Sequence, residues 1–176
     1  MKPRTLLCLD VDGVVNSLDE LRPDDHRQVE KVKNTQGEFT VRFDPRVVDG
    51  LNALTRAGLV ELRWVTTWGV DARDALAPAI GLDPGSQVSP DPHDPRLARH
   101  PYDPAAVWWK LHLVLASVAD DPTRPVVWVD DDLDDGTKAR LPTLHPGPSL
   151  LITPEEGLSL DELARVAAFA RHHAAS

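Results

Sequence analysis

Cysteine is nearly absent from this sequence, and the single one, Cys8, excludes an intrachain disulfide. Cys8 lies within a short apolar run, which favours a buried, unreactive thiol over a catalytic nucleophile. Apolar runs of the roughly 20 residues that span a bilayer are missing, and no charged-then-apolar leader opens the chain. We therefore expect a cytoplasmic protein that has no membrane partner.

Cations are also in the minority, with 19 Lys and Arg against 28 Asp and Glu, so the formal net charge is −9. Affinity for nucleic acid depends largely on cations that neutralise phosphates, and this balance argues against an extensive nucleic-acid surface. A basic cluster, Arg96, Arg99 and His100, lies in a stretch rich in Pro and Asp. That stretch is either a phosphate-facing loop or a solvated one.

The length of 176 residues is enough for one core, so we expect one domain over residues 1–176. Short apolar runs predict strands at residues 6–9 and 126–129, and further strands are predicted at residues 60–65, 87–89 and 150–152. Helices are predicted from Asp44-Pro45, over residues 72–80, from Asp103-Pro104, and from a capping box at Ser159 and Glu162. Strands alternating with helices predict a Rossmann-like, doubly wound α/β domain with a mainly parallel, five-stranded sheet.

The segment between the first strand and the first helix departs from this alternation. Residues 28–33 and 38–43 alternate loosely around Asn34-Thr35-Gln36-Gly37, which predicts a hairpin with a longer turn. We expect a flap insert of about residues 17–43, which is too small for a domain. Residues 81–104 are dense in Pro, Asp and Gly and are predicted as a loop, so no large cap domain is expected.

The most informative motif is Leu9-Asp10-Val11-Asp12-Gly13, where an apolar strand ends in two carboxylates one residue apart. Gly13 allows the chain to turn after the strand, so the carboxylates of Asp10 and Asp12 can converge. Like charges held close together are unfavourable unless a cation or a shared proton relieves them, which indicates a divalent metal, a raised pKa, or both. A solvated turn is the alternative, because Asp and Gly are common where strands end.

Two further predicted strands end in polar residues: Thr66 and Thr67 follow residues 60–65, and Asp130 and Asp131 follow residues 126–129. In a doubly wound sheet, ligands bind in the crevice beyond the carboxyl ends of the strands. Lys110 lies off the apolar stripe of the intervening helix and can reach the same edge. Singly, Thr66 could be an ordinary strand residue and Lys110 a surface lysine. The three strand ends together predict a site.

These residues resemble the four motifs of phosphohydrolases of the haloacid dehalogenase (HAD) superfamily, in the order in which those enzymes carry them. The matching positions are Asp10-Val11-Asp12-Gly13-Val14-Val15, Thr66, Lys110 and Asp130-Asp131. Residues 64–68, 109–111 and 128–133 are similar, more narrowly, to the HAD domain of "Swiss army knife" RNA-repair proteins. The resemblance extends from Leu6 to about Ile152.

The resemblance, like the chemistry of the residues, points to two catalytic carboxylates. Asp10 is the expected nucleophile, which forms an aspartyl-phosphate, and Asp12 protonates the leaving oxygen and then takes a proton from the attacking water. The expected cofactor is Mg²⁺, bound by the Asp10 carboxylate, the Asp12 backbone carbonyl and Asp130. Asp131 is expected to bind it directly or through water.

The remaining motifs are expected to hold the phosphoryl group. The Thr66 hydroxyl and backbone N–H groups near Gly13 and Thr67 contact its oxygens, and Lys110 neutralises the charge that develops there. An open, uncapped site fits a phosphatase acting on a phosphorylated substrate such as a nucleic-acid end. The alternatives are a small-metabolite or nucleotide phosphatase and a non-catalytic module that binds phosphate or Mg²⁺. Four tryptophans could stack on a base but are more often core: Trp68, Trp108, Trp109 and Trp128.

Overall fold

Strands alternate with helices along the part of the chain that the computed structural model describes, residues 4–22, 25–83, 87–88 and 109–175. The strands are β1 (Thr5–Leu9), β2 (Gln28–Asn34), β3 (Gly37–Phe43), β4 (Val60–Trp64), β5 (Gln87–Val88), β6 (Val126–Val129) and β7 (Ser149–Ile152). The helices are α1 (Pro45–Arg56), α2 (Ala77–Ile80), α3 (Trp109–Ser117), α4 (Asp135–Leu144) and α5 (Leu160–Ala174). The predicted α/β class is confirmed.

Five strands form one sheet in the order β5-β4-β1-β6-β7, and all neighbouring pairs are parallel. From β1 the chain first builds the side that contains β4 and β5, and then returns to the other side of β1 with β6 and β7. The topological switch point therefore lies between β1 and β6, and ligand crevices form at such points. The predicted Rossmann-like, doubly wound, five-stranded sheet is confirmed, although β5 has only two residues.

Both faces of the sheet are covered, which explains why residues 6–9 of β1 and all of β6 are apolar. Leu7 and Leu9 of β1 pack with α1 and α5, whereas Leu6 and Cys8 pack with α3 and α4. Cys8 is fully buried, and desolvation raises the pKa of its thiol to about 12. The thiol is therefore protonated at neutral pH, as expected for a cysteine that serves packing.

Two helices begin at the side-chain caps that the sequence predicts. Asp44 accepts a hydrogen bond from the Arg46 N–H ahead of α1, and Pro45 occupies the first helical position. Ser159 and Glu162 form a reciprocal capping box at the start of α5. These caps satisfy N–H groups that the first helical turn leaves without partners.

The insert after β1 forms the predicted hairpin, in which β2 and β3 pair antiparallel with Asn34 opposite Gly37. The turn consists of Thr35 and Gln36 alone, so the predicted longer turn is wrong. The Asn34 side-chain oxygen accepts hydrogen bonds from the N–H groups of Gln36 and Gly37, and this local pairing makes the shorter turn possible. One face of the hairpin packs into the core through three buried residues, Val32, Val41 and Phe43.

The helix predicted over residues 72–80 is only partly α-helical. It begins as a π-helical segment, Ala72–Leu76, whose end is marked by a hydrogen bond from the Ala77 N–H to the Ala72 carbonyl, and it continues as α2. Pro78 lacks an N–H group for the carbonyl of Asp74, so the regular α-helical bond cannot form there.

Part of the sequence-based interpretation lies outside the described residues. This part includes the basic cluster Arg96, Arg99 and His100, the helix start at Asp103-Pro104, Trp108, and most of the loop at 81–104. One domain over residues 1–176 with a flap insert at about 17–43 stays a prediction. None of the helices within the described ranges combines the length and the apolar content needed to cross a membrane.

Candidate active site

Three carboxylates meet where β1 and β6 end, beside the switch point of the sheet. The Asp10 N–H donates to the Val129 carbonyl and the Asp130 N–H to the Ile152 carbonyl, both over 3.1 Å, so the parallel pairing continues one residue beyond the strands. Oxygen atoms of Asp10, Asp130 and Asp131 all lie within 4.8 Å of one another. Asp10 and Asp130 are buried and Asp131 is half-buried. Such an all-oxygen set could hold a hard metal cation.

The ammonium group of Lys110 lies between two of these carboxylates. Its Nζ donates to Asp10 Oδ2 over 2.5 Å and to Asp130 Oδ2 over 2.8 Å, and the side chain is only 5% exposed. Burial lowers the pKa of Lys110, but the two carboxylates outweigh this effect and the pKa is raised overall. The structure thus brings Lys110 to the strand ends, while its catalytic role stays a prediction. The surface-lysine alternative is wrong, because the two ion pairs compensate for burying the charge.

The pKa of each clustered carboxyl group is raised, chiefly because burial disfavours the charged form. For Asp130, the negative charge of Asp10 adds to desolvation and the pKa rises to about 7, although Lys110 opposes the shift. The pKa of Asp10 is raised by desolvation against the opposing effect of Lys110. The pKa of Asp131 is raised by desolvation and then by the charges of Asp132 and Asp10. A divalent cation would relieve this crowding of negative charge.

Hydrogen bonds from neighbouring groups orient the buried carboxylates. The Val11 N–H donates to Asp10 Oδ1 over 2.7 Å, and the Asp132 N–H donates to Asp130 Oδ1 over 3.1 Å. Trp128 Nε1 donates to Asp130 Oδ2 over 3.3 Å. Trp128 is fully buried, so it belongs to the core rather than to a base-stacking surface.

Thr66 lies next to Asp10 at the end of β4. It is fully buried, and a hydrogen bond between its side chain and the Asp10 carboxyl opposes part of the rise that burial causes in the pKa of Asp10. The Trp68 N–H donates to Thr66 Oγ1 over 3.3 Å, which closes the turn after the strand. Thr67 is exposed in that turn. The structure thus brings Thr66 to the carboxylates, while the phosphoryl-binding roles of Thr66 and Thr67 stay predictions.

Gly13 occupies the point where the chain turns past Asp131. Its φ is +70°, in the left-handed region, and a Cβ atom there would lie 2.0 Å from Asp131 Oδ2. Glycine is therefore required both by the backbone conformation and by the approach of the carboxylate. Only the turn was predictable from sequence, since the contact joins residues more than a hundred positions apart.

Gly13→Ala is expected to weaken binding of a divalent metal by about 10- to 100-fold, because the added methyl group must displace the Asp131 carboxylate. Isothermal titration with Mg²⁺ measures the change. Gly81→Ala is the matched control, since Gly81 also has a positive φ of 74° but has open space at its Cβ position. Equal metal affinity in the two variants would contradict a role for the Gly13 contact.

The Asp12 carboxylate points to a different pair of partners. Its Oδ1 accepts a hydrogen bond from Asn16 Nδ2 over 2.8 Å, and its Oδ2 accepts one from Trp68 Nε1 over 2.9 Å. Both donors are buried. Asn16 was not predicted from the sequence, and Trp68 was predicted to be a core residue. The one available signal was the position of Trp68 two residues after Thr66. Metal binding by the Asp12 backbone carbonyl stays a prediction.

Comparison with known proteins identifies the family of this chain. No curated protein matches the chain. The family model for the HAD domain in Swiss Army Knife RNA repair proteins matches residues 6–163, a segment that contains all the site residues described above. Both the superfamily resemblance and the narrower one are thereby confirmed. Because this match covers well over half of the chain, from β1 to the first turn of α5, the chain belongs to the family of HAD domains found in Swiss Army Knife RNA repair proteins.

Proposed function

We propose that this protein is a magnesium-dependent phosphatase in which Asp10 is the nucleophile. The observation that carries the proposal is the place of the Asp10 carboxylate, which shares one sheet edge with two other carboxylates and a buried ammonium group. A phosphate monoester resists hydrolysis because an anionic nucleophile must approach an anionic phosphoryl group. Lys110 and a bound cation would supply the positive charge that this approach requires. Membership of a HAD family also suggests phosphatase-type chemistry.

The donor set suits Mg²⁺, which prefers carboxylate oxygens together with water and phosphate oxygens. Asp10 and Asp130 would hold the ion through their side chains, and Asp12 through its backbone carbonyl. Asp131 would bind directly or through water. Bound there, Mg²⁺ would supply positive charge to the oxygens of the transferring phosphoryl group.

Two displacements follow from these assignments. In the first, an Asp10 oxygen forms a bond to phosphorus as the ester P–O bond breaks, and Asp12 gives its proton to the leaving oxygen. In the second, water attacks the aspartyl-phosphate, Asp12 takes the proton from that water, and the bond between Asp10 and phosphorus breaks. Inorganic phosphate leaves and both acids return to their starting states. Thr66 and the N–H groups of Gly13 and Thr67 would contact the phosphoryl oxygens in both steps.

Terminal phosphates of nucleic acid are the substrate class that we favour. The support is the solvent face of the hairpin, where three cations, Lys31, Lys33 and Arg42, accompany one acid, Glu38, although the whole chain carries −9. Side chains alternate along β2 and β3, so these four residues lie opposite the face that packs into the core. Among the described residues, none of the three cations forms an ion pair. A short contact with a polyanion fits this face better than an extensive one does.

The proposal is tested by phosphate release from nitrophenyl phosphate and from RNA and DNA oligonucleotides with a 5′- or 3′-terminal phosphate, with Mg²⁺ and with a chelator. We expect Mg²⁺-dependent release from at least one polymer end. The KM for that end should rise with salt concentration. For a single strand, we expect it to rise as the salt concentration raised to a power of about 0.7 for each phosphate contacted. The KM for the aryl ester should change little.

Other outcomes would change the assignment. Release from the aryl ester alone would keep the chemistry and favour a small metabolite or nucleotide as the substrate. Binding of a phosphate mimic without hydrolysis of any ester would favour the non-catalytic module. Release that is unaffected by the chelator would contradict the role given to Mg²⁺.

A further inference from the structure

The Asp12 carboxylate is held at both oxygens by donors from separate parts of the chain. Asn16 belongs to the loop after β1, and Trp68 belongs to the turn after β4. A carboxylate that accepts one hydrogen bond at each oxygen cannot rotate without breaking one of them. Asp12 therefore has a set orientation, which a side chain without such donors would lack.

The hairpin contacts both donors. At its base, the Arg42 N–H donates to Asn16 Oδ1 over 2.9 Å, and the Ser17 N–H donates to the Arg42 carbonyl over 2.8 Å. Closer to the hairpin turn, the ring of Phe39 lies against that of Trp68, with the ring centroids 5.3 Å apart. The same hairpin thus supports the residue that holds Asp12 Oδ1 and the residue that holds Asp12 Oδ2.

A third contact ties the tip of the hairpin to the Trp68 turn. The N–H and the hydroxyl of Thr35 donate to Asp71 Oδ2 over 3.2 and 2.5 Å. The Asp71 N–H donates in turn to the Trp68 carbonyl over 3.1 Å. These bonds fix the backbone from which the Trp68 side chain extends, so the position of its N–H depends on the hairpin.

We propose that Trp68 and Asn16 are positioning residues that orient Asp12 for proton transfer, and that the hairpin sets the place of both. This inference rests on the proposed phosphatase function and deepens it, because it names the residues that aim the proton donor. Each carboxylate oxygen has two lone pairs, and the observed bonds use one on each oxygen. Asp12 can therefore carry a proton and give it to the leaving oxygen while both bonds remain.

The leaving group provides the readout that separates positioning from mere structural support. Phenolate, the leaving group of phenyl phosphate, is strongly basic and needs the proton as the P–O bond breaks. Nitrophenolate, the leaving group of nitrophenyl phosphate, is less basic and leaves more readily without the proton. Loss of the indole N–H of Trp68 should therefore slow the hydrolysis of phenyl phosphate more than that of nitrophenyl phosphate. A general loss of folded protein would slow the two esters equally.

The experiment compares kcat/KM for phenyl and nitrophenyl phosphate in wild type, Trp68→Phe and Trp64→Phe. General acid catalysis contributes about 10²- to 10⁴-fold, so misorientation in Trp68→Phe should lower the phenyl-to-nitrophenyl ratio by about tenfold. Trp64→Phe is the matched control, since Trp64 is fully buried in the same core and its Nε1 has no hydrogen-bond partner among the described residues. Its ratio should equal that of wild type.

An unchanged ratio in Trp68→Phe would overturn the inference while leaving the phosphatase assignment intact. If wild type hydrolysed neither ester nor any terminal phosphate, the proposed function would fail and this inference with it. Should Trp68→Phe not fold, Trp68→benzothienylalanine keeps the shape of the indole with sulfur in place of the N–H, and the same loss of ratio is expected. Phe39→Leu removes the ring that packs against Trp68 but keeps the indole N–H of Trp68. It should lower the phenyl-to-nitrophenyl ratio by a smaller factor than Trp68→Phe does.

Discussion

Asp10→Asn is expected to lower Mg²⁺-dependent phosphate release by about 10⁴-fold or more, because an amide oxygen cannot form the acyl-phosphate bond. The fold should survive the change. Asp10 is one of three carboxylates that crowd together, and its removal leaves Lys110 paired with Asp130. We therefore expect the melting temperature of the metal-free variant to equal or exceed that of wild type. Phosphate release and thermal melting by circular dichroism measure the two effects.

Asp132→Asn is the control for the loss of one negative charge. Asp132 is exposed and lies two residues after Asp130. It contacts the Asp130 carboxylate through its backbone N–H, which asparagine keeps. Its activity should stay close to that of wild type. If Asp10→Asn kept more than about a tenth of the activity, a barrier difference of less than about 1.4 kcal/mol, another group would have to be the nucleophile.

Lys110→Met is expected to affect both rate and stability. Loss of one preorganised charge at a reacting group typically lowers the rate by about 10²- to 10³-fold. Removal of one partner of a buried ion pair costs about 3–5 kcal/mol, since the other charge is left uncompensated. Here that charge is the carboxylate pair of Asp10 and Asp130. The metal-free variant should therefore unfold at a lower urea concentration than wild type.

Mg²⁺ should separate the two effects of Lys110→Met. Because the variant has lost the cation between the carboxylates, Mg²⁺ should stabilise it against urea by more than it stabilises wild type, while the rate remains low. Lys138→Met removes the same charge from α4, outside the cluster, and should change neither property greatly. If Mg²⁺ did not change the urea unfolding of Lys110→Met, metal binding by these carboxylates would be contradicted.

The strand ends were predictable because their signals are local. An apolar run followed by Asp10, Val11 and Asp12 defines a buried strand and the acids beyond it, and the run before Asp130 repeats that pattern. Parallel pairing then requires such ends to meet at one edge, which the registers of β1 with β4 and β6 confirm. The fold and the three-carboxylate cluster follow from patterns of a few residues each.

What escaped prediction depends on contacts between distant positions. Trp68 donates to Asp12 across 56 positions of sequence. Its position two residues after Thr66 places it near the strand ends, but does not distinguish this bond from ordinary packing. The burial of Lys110 likewise depends on two carboxylates that arrive from other strands. The hairpin turn was misjudged for a local reason, since the Asn34 side chain closes it over two residues. Sequence patterns show which faces are buried, but not which polar groups meet there.

The position of the switch point between β1 and β6 also bears on how the chain folds. Asp10 comes early in the sequence, and its cluster partners come only after residue 109, so a nascent chain that ends at β5 has no assembled cluster. Pairing β6 with β1 forces like charges together in the core. The helix α3, which carries Lys110, immediately precedes β6, so the segment that delivers Asp130 also delivers its counter-charge. Assembly of the sheet and neutralisation of its edge are therefore one event, and a cation that binds only the assembled edge would favour the folded chain.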